Sequence, residues 1–398
     1  MCSQHCPTYA LTADENESPR GRIALISALN SGQITPDASL QTHLEHCTGC
    51  RSCEQMCPSG VRFGAIMDQA KTLLPTKPVA VDADKIARLS PWLRRYQRWG
   101  LQKLTRATGV LNLLDLTQME NLLPRVPDTP AWQAYYPPTI DNHQGDVGLF
   151  TGCVSNIFDR EALTASRLLL NRLGYGVHIP PTQGCCGAMH LHNGQTSEAV
   201  TLAQQNLAAF NKLDLKAQSL KAIVHTASGC TAMLSEYDQL PTIPEDQHPA
   251  TFAGKVKDIS QFLAEAVWPA NLRPEPFSKP VAIHTPCSLN NVLRQADAPR
   301  RLLQHIPGIK LLDVLQTGCC GGAGAYMLTQ AGFARRMRNN TLDSLQALNK
   351  KNDLTTLVTS NLGCALHIAA GLREQGTDIE VLHPVVLLAR QLELLNTD

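Results

Sequence analysis

The chain has 398 residues, 43% hydrophobic and 17% charged, which is enough apolar material for two or three folded domains. Its 35 basic and 34 acidic residues leave a net charge of +1, so there is no basic footprint for nucleic acid. No apolar run approaches the roughly 18 residues of a membrane-spanning helix, and the opening Met1-Cys2-Ser3-Gln4-His5-Cys6-Pro7 lacks the basic and apolar regions of a signal peptide. The 14 cysteines therefore point to metal or redox chemistry in a reducing compartment before they point to disulfides.

Residues 1–74 carry the first cysteine groups. Cys2 and Cys6-Pro7 come first, then helical patterns at about Arg20 to Asn30 and Ala38 to His46, then Cys47, Cys50, Cys53 and Cys57-Pro58. The second group reads C-x2-C-x2-C-x3-C-P, the run of a bacterial ferredoxin, in which the fourth cysteine ligates a different cluster. If ligands cross over in this way, Cys6 completes one cubane with Cys47, Cys50 and Cys53. Cys2 and Cys57 are then left two thiolates short of a second. Either the true start lies upstream, the preferred expectation, or the chain keeps one cluster where relatives keep two. A four-thiolate zinc site is the alternative for the run, although four cysteines in eleven residues with a closing Cys-Pro suit zinc poorly.

Residues 75–144 read as a linker with short helices. Eight prolines fall between Pro75 and Pro138. Within it, Lys85 to Arg106 holds seven basic residues and no acidic one, interleaved with Leu89, Trp92, Leu93, Tyr96, Trp99, Leu101 and Leu104. Arg94, Arg95, Arg98, Trp92 and Trp99 are the candidate contacts to an anionic membrane or a partner subunit. A solvated helix bracing two domains is the equal alternative.

The remaining eight cysteines form an internal repeat over 145–268 and 280–395. Cys153 and Cys287, Cys185 and Cys319, Cys186 and Cys320, and Cys230 and Cys364 all differ by 134. Before Cys153, Cys230, Cys287 and Cys364 runs a short apolar, β-branched stretch, and a helical pattern such as Glu161 to Leu173 follows. Strand, cysteine loop and helix, repeated, predict βαβ units with a parallel sheet and ligands at the carboxyl ends of its strands. The fold class is therefore α/β, with a mainly helical ferredoxin-like domain ahead of two βαβ-type cysteine-rich domains. Gly187 and Gly321 are expected to let the backbone come close to a bulky group. His225 and His284 have no histidine at the equivalent repeat positions, Thr359 and Phe150, so both are assigned to local hydrogen bonding.

Ser18-Pro-Arg-Gly-Arg-Ile23, the Cys47–Pro58 motif, Thr226-Ala-Ser-Gly-Cys230 and the two Cys-Cys-Gly segments resemble the glycolate oxidase iron–sulfur subunit over essentially the whole chain. More broadly the chain is similar to the iron–sulfur proteins of anaerobic glycerol-3-phosphate dehydrogenase, lactate utilisation and heterodisulfide reductase. Each repeat here ends in a single cysteine rather than C-x2-C, which favours the glycolate type and leaves four thiolates per copy. The resemblance implies [4Fe–4S] clusters: one complete ferredoxin-type site, a second incomplete at the N-terminus, and one more per repeat. It implies flavin-containing partners that oxidise glycolate, a quinone or other membrane acceptor, and a cytoplasmic location at the inner face of the membrane. No catalytic residue of the chain's own is expected, because no G-x-G-x-x-G fingerprint or nucleophile–base arrangement stands out. A thiol-redox enzyme and a zinc-stabilised scaffold are the rival classes.

Overall fold

A computed structural model describes residues 2–75, 83–113, 116–128, 130–214, 219–315 and 318–395. Linker positions 76–82, 114, 115 and 129 lie outside the described residues. The N-terminal unit is helical, as the sequence predicts. Pro19–Asn30 starts with proline in its first turn and with the Ser18 hydroxyl accepting the Gly21 N–H at 3.0 Å. Gly21 is obligatory, because a Cβ there would stand 1.8 Å from the Glu15 carbonyl oxygen. This helix, Ala38–Glu45 and Phe63–Lys71 enclose a small core built on Ile26, Leu44, Phe63 and Met67.

The first repeat folds around a five-stranded sheet of β1 (Tyr135–Tyr136), β2 (Gly145–Leu149), β3 (Tyr175–His178), β4 (Ala222–His225) and β5 (Val256–Asp258), in the order β1-β3-β2-β4-β5. All neighbours are parallel except β1, which lies antiparallel on β3. An edge strand therefore comes from residues that the proline pattern places in the linker. The second repeat has β6 (Pro280–His284), β7 (Lys310–Asp313), β8 (Thr356–Thr359) and β9 (Glu380–Leu382), ordered β7-β6-β8-β9 and wholly parallel. Both are doubly wound, so the strand order reverses between β2 and β4, and again between β6 and β8. Such a reversal opens a crevice at the carboxyl ends of the strands.

The two repeats share one hydrophobic core. Val147 and Leu149 of the first lie in the same buried cluster as Val281, Ile283, Val358 and Val385 of the second. Helix Arg160–Arg172 packs on Pro384–Gln391, and Ile259–Glu265 packs on Ala298–Leu303. His383 ties this join together. Its Nε2–H donates to the Thr226 carbonyl at 2.9 Å, while Nδ1 accepts the Val385 N–H at 3.2 Å and caps the last helix.

Both nitrogens of His383 are thus committed to the neutral ring, and burial pushes its pKa down to about 3. In the unfolded chain the ring protonates near pH 6.5. The unfolded state binds the extra proton below that value, so stability is lost as pH falls from about 6.5 towards 3. At pH 5 the loss from this group is about 2 kcal/mol. His383→Gln should shrink the difference in urea-unfolding free energy between pH 7 and pH 5 by that amount. An unchanged difference would remove His383 from the pH response.

Candidate metal centres

Three sets of thiols gather in this fold. The first lies in the N-terminal unit, where Cys6, Cys47, Cys50 and Cys53 line a small cavity with Thr8, Arg22 and Phe63. This is the crossed-over set that the spacing predicts. Burial, followed by the charges of Cys47 and Cys6, raises the Cys53 thiol to about 12, and burial with Cys319 nearby raises Cys50. Such thiols give up their protons to a metal and not to water at pH 7. Cys2 and Cys57 do not line this cavity. Backbone N–H groups from Val61 and then Ser59 lower the Cys57 pKa, and no thiol partner is among the causes.

The run Ser18–Ile23 acquires a structural reason. Arg22, 1% exposed, sits beside the first set and spends its guanidinium on four groups. Nε donates to the His43 carbonyl at 2.8 Å, and one terminal nitrogen donates to Thr8 Oγ1 at 3.1 Å and to the Glu17 carbonyl at 2.5 Å. The other meets the buried Glu17 carboxylate at 2.5 Å. The second oxygen of Glu17 faces His43 Nδ1 at 2.7 Å and His46 Nδ1 at 2.8 Å. Arg22 also approaches Cys6 Sγ at 3.9 Å, which places its positive charge beside a candidate ligand.

Each repeat supplies one further tetrad at the strand-order reversal. In the first, Cys153 and Cys185 Sγ lie 3.5 Å apart, and Cys186 interacts with both Cys185 and Cys230. Hydrogen bonds from Cys153 and Cys186 lower Cys185 to about 3, and a hydrogen bond from Cys186 lowers Cys230 to about 6. Cys153 is raised in return, first by its bond to Cys185, and Cys186 rises with it. In the second repeat Cys320 and Cys364 Sγ are 3.1 Å apart, and Cys287 pairs with Cys319. Gly321 N–H donates to Cys319 Sγ at 3.3 Å, as Gly187 N–H does to Cys185 at 3.4 Å. The glycines also have a packing role. At Gly321, φ is +78° and a Cβ would fall 2.5 Å from the Ala334 carbonyl oxygen, so glycine also lets a neighbouring helix come close.

The donor sets suit iron–sulfur clusters. Each site offers four thiols, which matches one thiolate per iron of a cubane. The sites are also close to one another. Both tetrads and Cys47 line a single cavity of about 1650 Å³. The N-terminal unit is fastened over it by Arg51 to Glu236 at 2.6 Å, by Asn291 Nδ2 donating to the Cys50 carbonyl at 2.7 Å, and by Tyr326 donating to the His46 carbonyl at 3.0 Å. Cys50 and Cys319 are near enough to couple electrostatically.

The far wall of that cavity is the linker. Helix Ala83–Arg98 turns Leu89, Leu93 and Tyr96 towards it, and Leu111 and Met119 add to the lining. Trp92 and Trp99 are 65% and 71% exposed, with the Arg95 guanidinium 5.2 Å over the Trp92 ring. Arg94 and Arg98 both pair with Asp128, at 2.8 and 2.9 Å. The sequence-predicted surface cations are therefore partly neutralised, a contact that no local pattern revealed.

Known families match successive parts of the chain. The 4Fe-4S dicluster domain covers residues 1–61, the linker region of the glycolate oxidase iron-sulfur subunit covers 84–123, and the cysteine-rich domain covers 147–235 and again 281–369. A probable glycolate oxidase iron-sulfur subunit of Bacillus subtilis is 34% identical, over 94% of this chain and 88% of its own. The glycolate oxidase iron-sulfur subunit of Escherichia coli is 30% identical, over 99% and 92%. Lactate utilization protein A of Oceanobacillus iheyensis is 28% identical over 61% of the chain and 96% of its own. Among solved structures, a hypothetical protein from Helicobacter pylori shares the fold at a TM-score of 0.52 and 11% identity, covering 95% of this chain and 68% of that one. With its dicluster domain, its two cysteine-rich repeats and its specific linker all in order, this chain belongs to the glycolate oxidase iron–sulfur subunit family.

Proposed function

We propose that this chain is the electron-transfer subunit of a glycolate-oxidising complex, set between flavin-containing partners and a quinone at the inner face of the cytoplasmic membrane. The partners convert glycolate to glyoxylate, releasing two electrons and two protons, and a quinone takes up two of each to become the quinol. The observation that carries this reading is the opening of both tetrads and Cys47 onto one cavity, with Cys50 beside Cys319. Cys6, Cys47, Cys50 and Cys53 would hold one [4Fe–4S] cluster, and each repeat's tetrad another. When bound, such a cluster accepts and releases single electrons at a potential set by burial, hydrogen bonds to sulfur and nearby charge. The chain's own residues supply those settings: the Gly187 and Gly321 N–H groups at sulfur, the Arg22 charge, and the apolar linker wall that limits water.

The first test is iron and acid-labile sulfide on protein purified without oxygen. Three four-iron sites give about twelve irons per chain. A count near four would leave the tetrads to thiol chemistry, and zinc without sulfide would overturn the reading.

The linker supports a peripheral membrane contact. No helix among the described residues is long and apolar enough to cross a bilayer. Trp92 and Trp99 with Arg95 instead form an amphipathic face suited to an anionic interface. Each surface arginine contributes about 1 kcal/mol to such binding. Replacing Arg94, Arg95 and Arg98 by Gln should weaken co-sedimentation with phosphatidylglycerol-rich liposomes by about fivefold per unpaired arginine, less for the two that share Asp128. Equal binding by the variant would leave the helix as a brace between domains.

A further inference from the structure

The two tetrads are more alike than their sequences. Phe150 and His225 occupy equivalent repeat positions to His284 and Thr359, so each repeat has one histidine, on opposite members of the pair. In the sheets these positions are cross-strand neighbours. Phe150 directly follows the Leu149–Val224 pairing of β2 and β4, and His284 pairs with Thr359 between β6 and β8. Each repeat thus places one imidazole in the same slot, at the carboxyl ends of its two central strands, by way of a different strand.

Both rings are held alike. His225 and His284 are 0% and 1% exposed. His225 Nδ1 lies 2.7 Å from the Phe150 carbonyl oxygen, and His284 Nδ1 lies 2.9 Å from Thr359 Oγ1. Nε2 is buried in both; that of His284 has no hydrogen-bond partner among the described residues, and His225 shares a side-chain hydrogen bond with Cys230. A buried ring nitrogen without a partner is costly and calls for a ligand. Each ring stands against thiols. A ring nitrogen of His284 and the Sγ atoms of Cys320 and Cys364 all lie within 4.8 Å of one another, and His225 interacts with Cys230. His225 also packs near Gly152, the neighbour of Cys153, where an added Cβ would sit 3.7 Å from Nε2.

The tautomer narrows the chemistry. A carbonyl oxygen only accepts, so His225 Nδ1 carries the proton, and in the neutral ring Nε2 presents a lone pair. Metal-ligating histidines are typically oriented in this way, with the second nitrogen donating to a carbonyl or other acceptor. Beside thiols such a lone pair meets only a weak S–H donor, whereas directed at a metal it is bonding. Imidazole is an established iron ligand in clusters otherwise held by thiolates.

We propose that His225 and His284 are metal donors, one per repeat, each holding one iron of its cluster in place of one of the four thiolates. The inference rests on the iron–sulfur reading of the repeats. It extends that reading by a ligand that position-by-position comparison of the two repeats hides.

The test uses the full chain with histidine labelled with nitrogen-15, purified without oxygen, assayed for iron and sulfide, reduced, and examined by pulsed electron paramagnetic resonance. Ligation predicts a strong nitrogen hyperfine coupling that changes with the isotope. Part of it should be lost in His225→Ala, part in His284→Ala, and all of it in the double variant. The wild-type isotope comparison does not depend on any variant folding. Sites with iron and sulfide present but no histidine coupling, or only the weak coupling of a hydrogen-bonded ring, would overturn the inference and leave the electron-transfer function standing. Repeats without iron or sulfide would overturn both.

Discussion

Cys50→Ser should remove the N-terminal iron–sulfur absorbance and cut electron delivery to quinone by more than about 100-fold, since even indirect supports of a metal ligand are worth 10–100-fold. Reduction of the partner flavin by glycolate should persist at the normal rate, because this chain carries no flavin or substrate fingerprint. Cys50 is the informative choice among the four thiols. Its sulfur couples electrostatically to Cys319, and its carbonyl accepts from Asn291 of the second repeat. Loss of this thiol therefore acts both on its own site and at the junction between two sites. Anaerobic stopped-flow of the assembled complex separates flavin reduction from quinone reduction. Quinone reduction at the unaltered rate would mean that electrons bypass the N-terminal unit.

Arg22→Met should destabilise the N-terminal unit by about 3–5 kcal/mol, the cost of removing one partner from a buried ion pair. The geometry shows why the cost is large. Glu17 is 2% exposed, and without Arg22 its charge would face only His43 and His46, while the Thr8 hydroxyl and the His43 carbonyl would lose the Arg22 donor. Lysine should restore less than half of the loss, because one ammonium cannot reach the His43 carbonyl, Thr8 and both acceptor groups of Glu17 at once. Urea unfolding followed by loss of the N-terminal cluster signal reads this directly. Full rescue by Arg22→Lys would reduce the network to a simple charge pair.

Much of the candidate site was legible in the sequence because its signals are local or periodic. The Cys47–Cys57 spacing is a loop property, and the crossing of Cys6 to that loop follows from the motif. The 134-residue offset recurs four times because each cysteine directly follows, or lies just beyond, a repeated structural element. Helices Pro19–Asn30 and Ala38–Glu45, and strands β2, β4, β6 and β8, fall where apolar patterning puts them.

What sequence alone determined is therefore the inventory: α/β repeats behind a helical ferredoxin-like unit, three thiol sets, and a basic aromatic linker. Tertiary structure decided which groups meet. His225 and Phe150 are 75 residues apart, as are Thr359 and His284, and comparison along the chain pairs each histidine with a non-histidine. Sheet registry places them side by side and gives both tetrads an imidazole. The single core joining the repeats, the Asp128 clamp on Arg94 and Arg98, and the Cys50–Cys319 approach have the same origin. Spacing encodes which residues share an element. The burial of apolar faces selects how elements pack, and only that packing brings distant side chains within bonding distance.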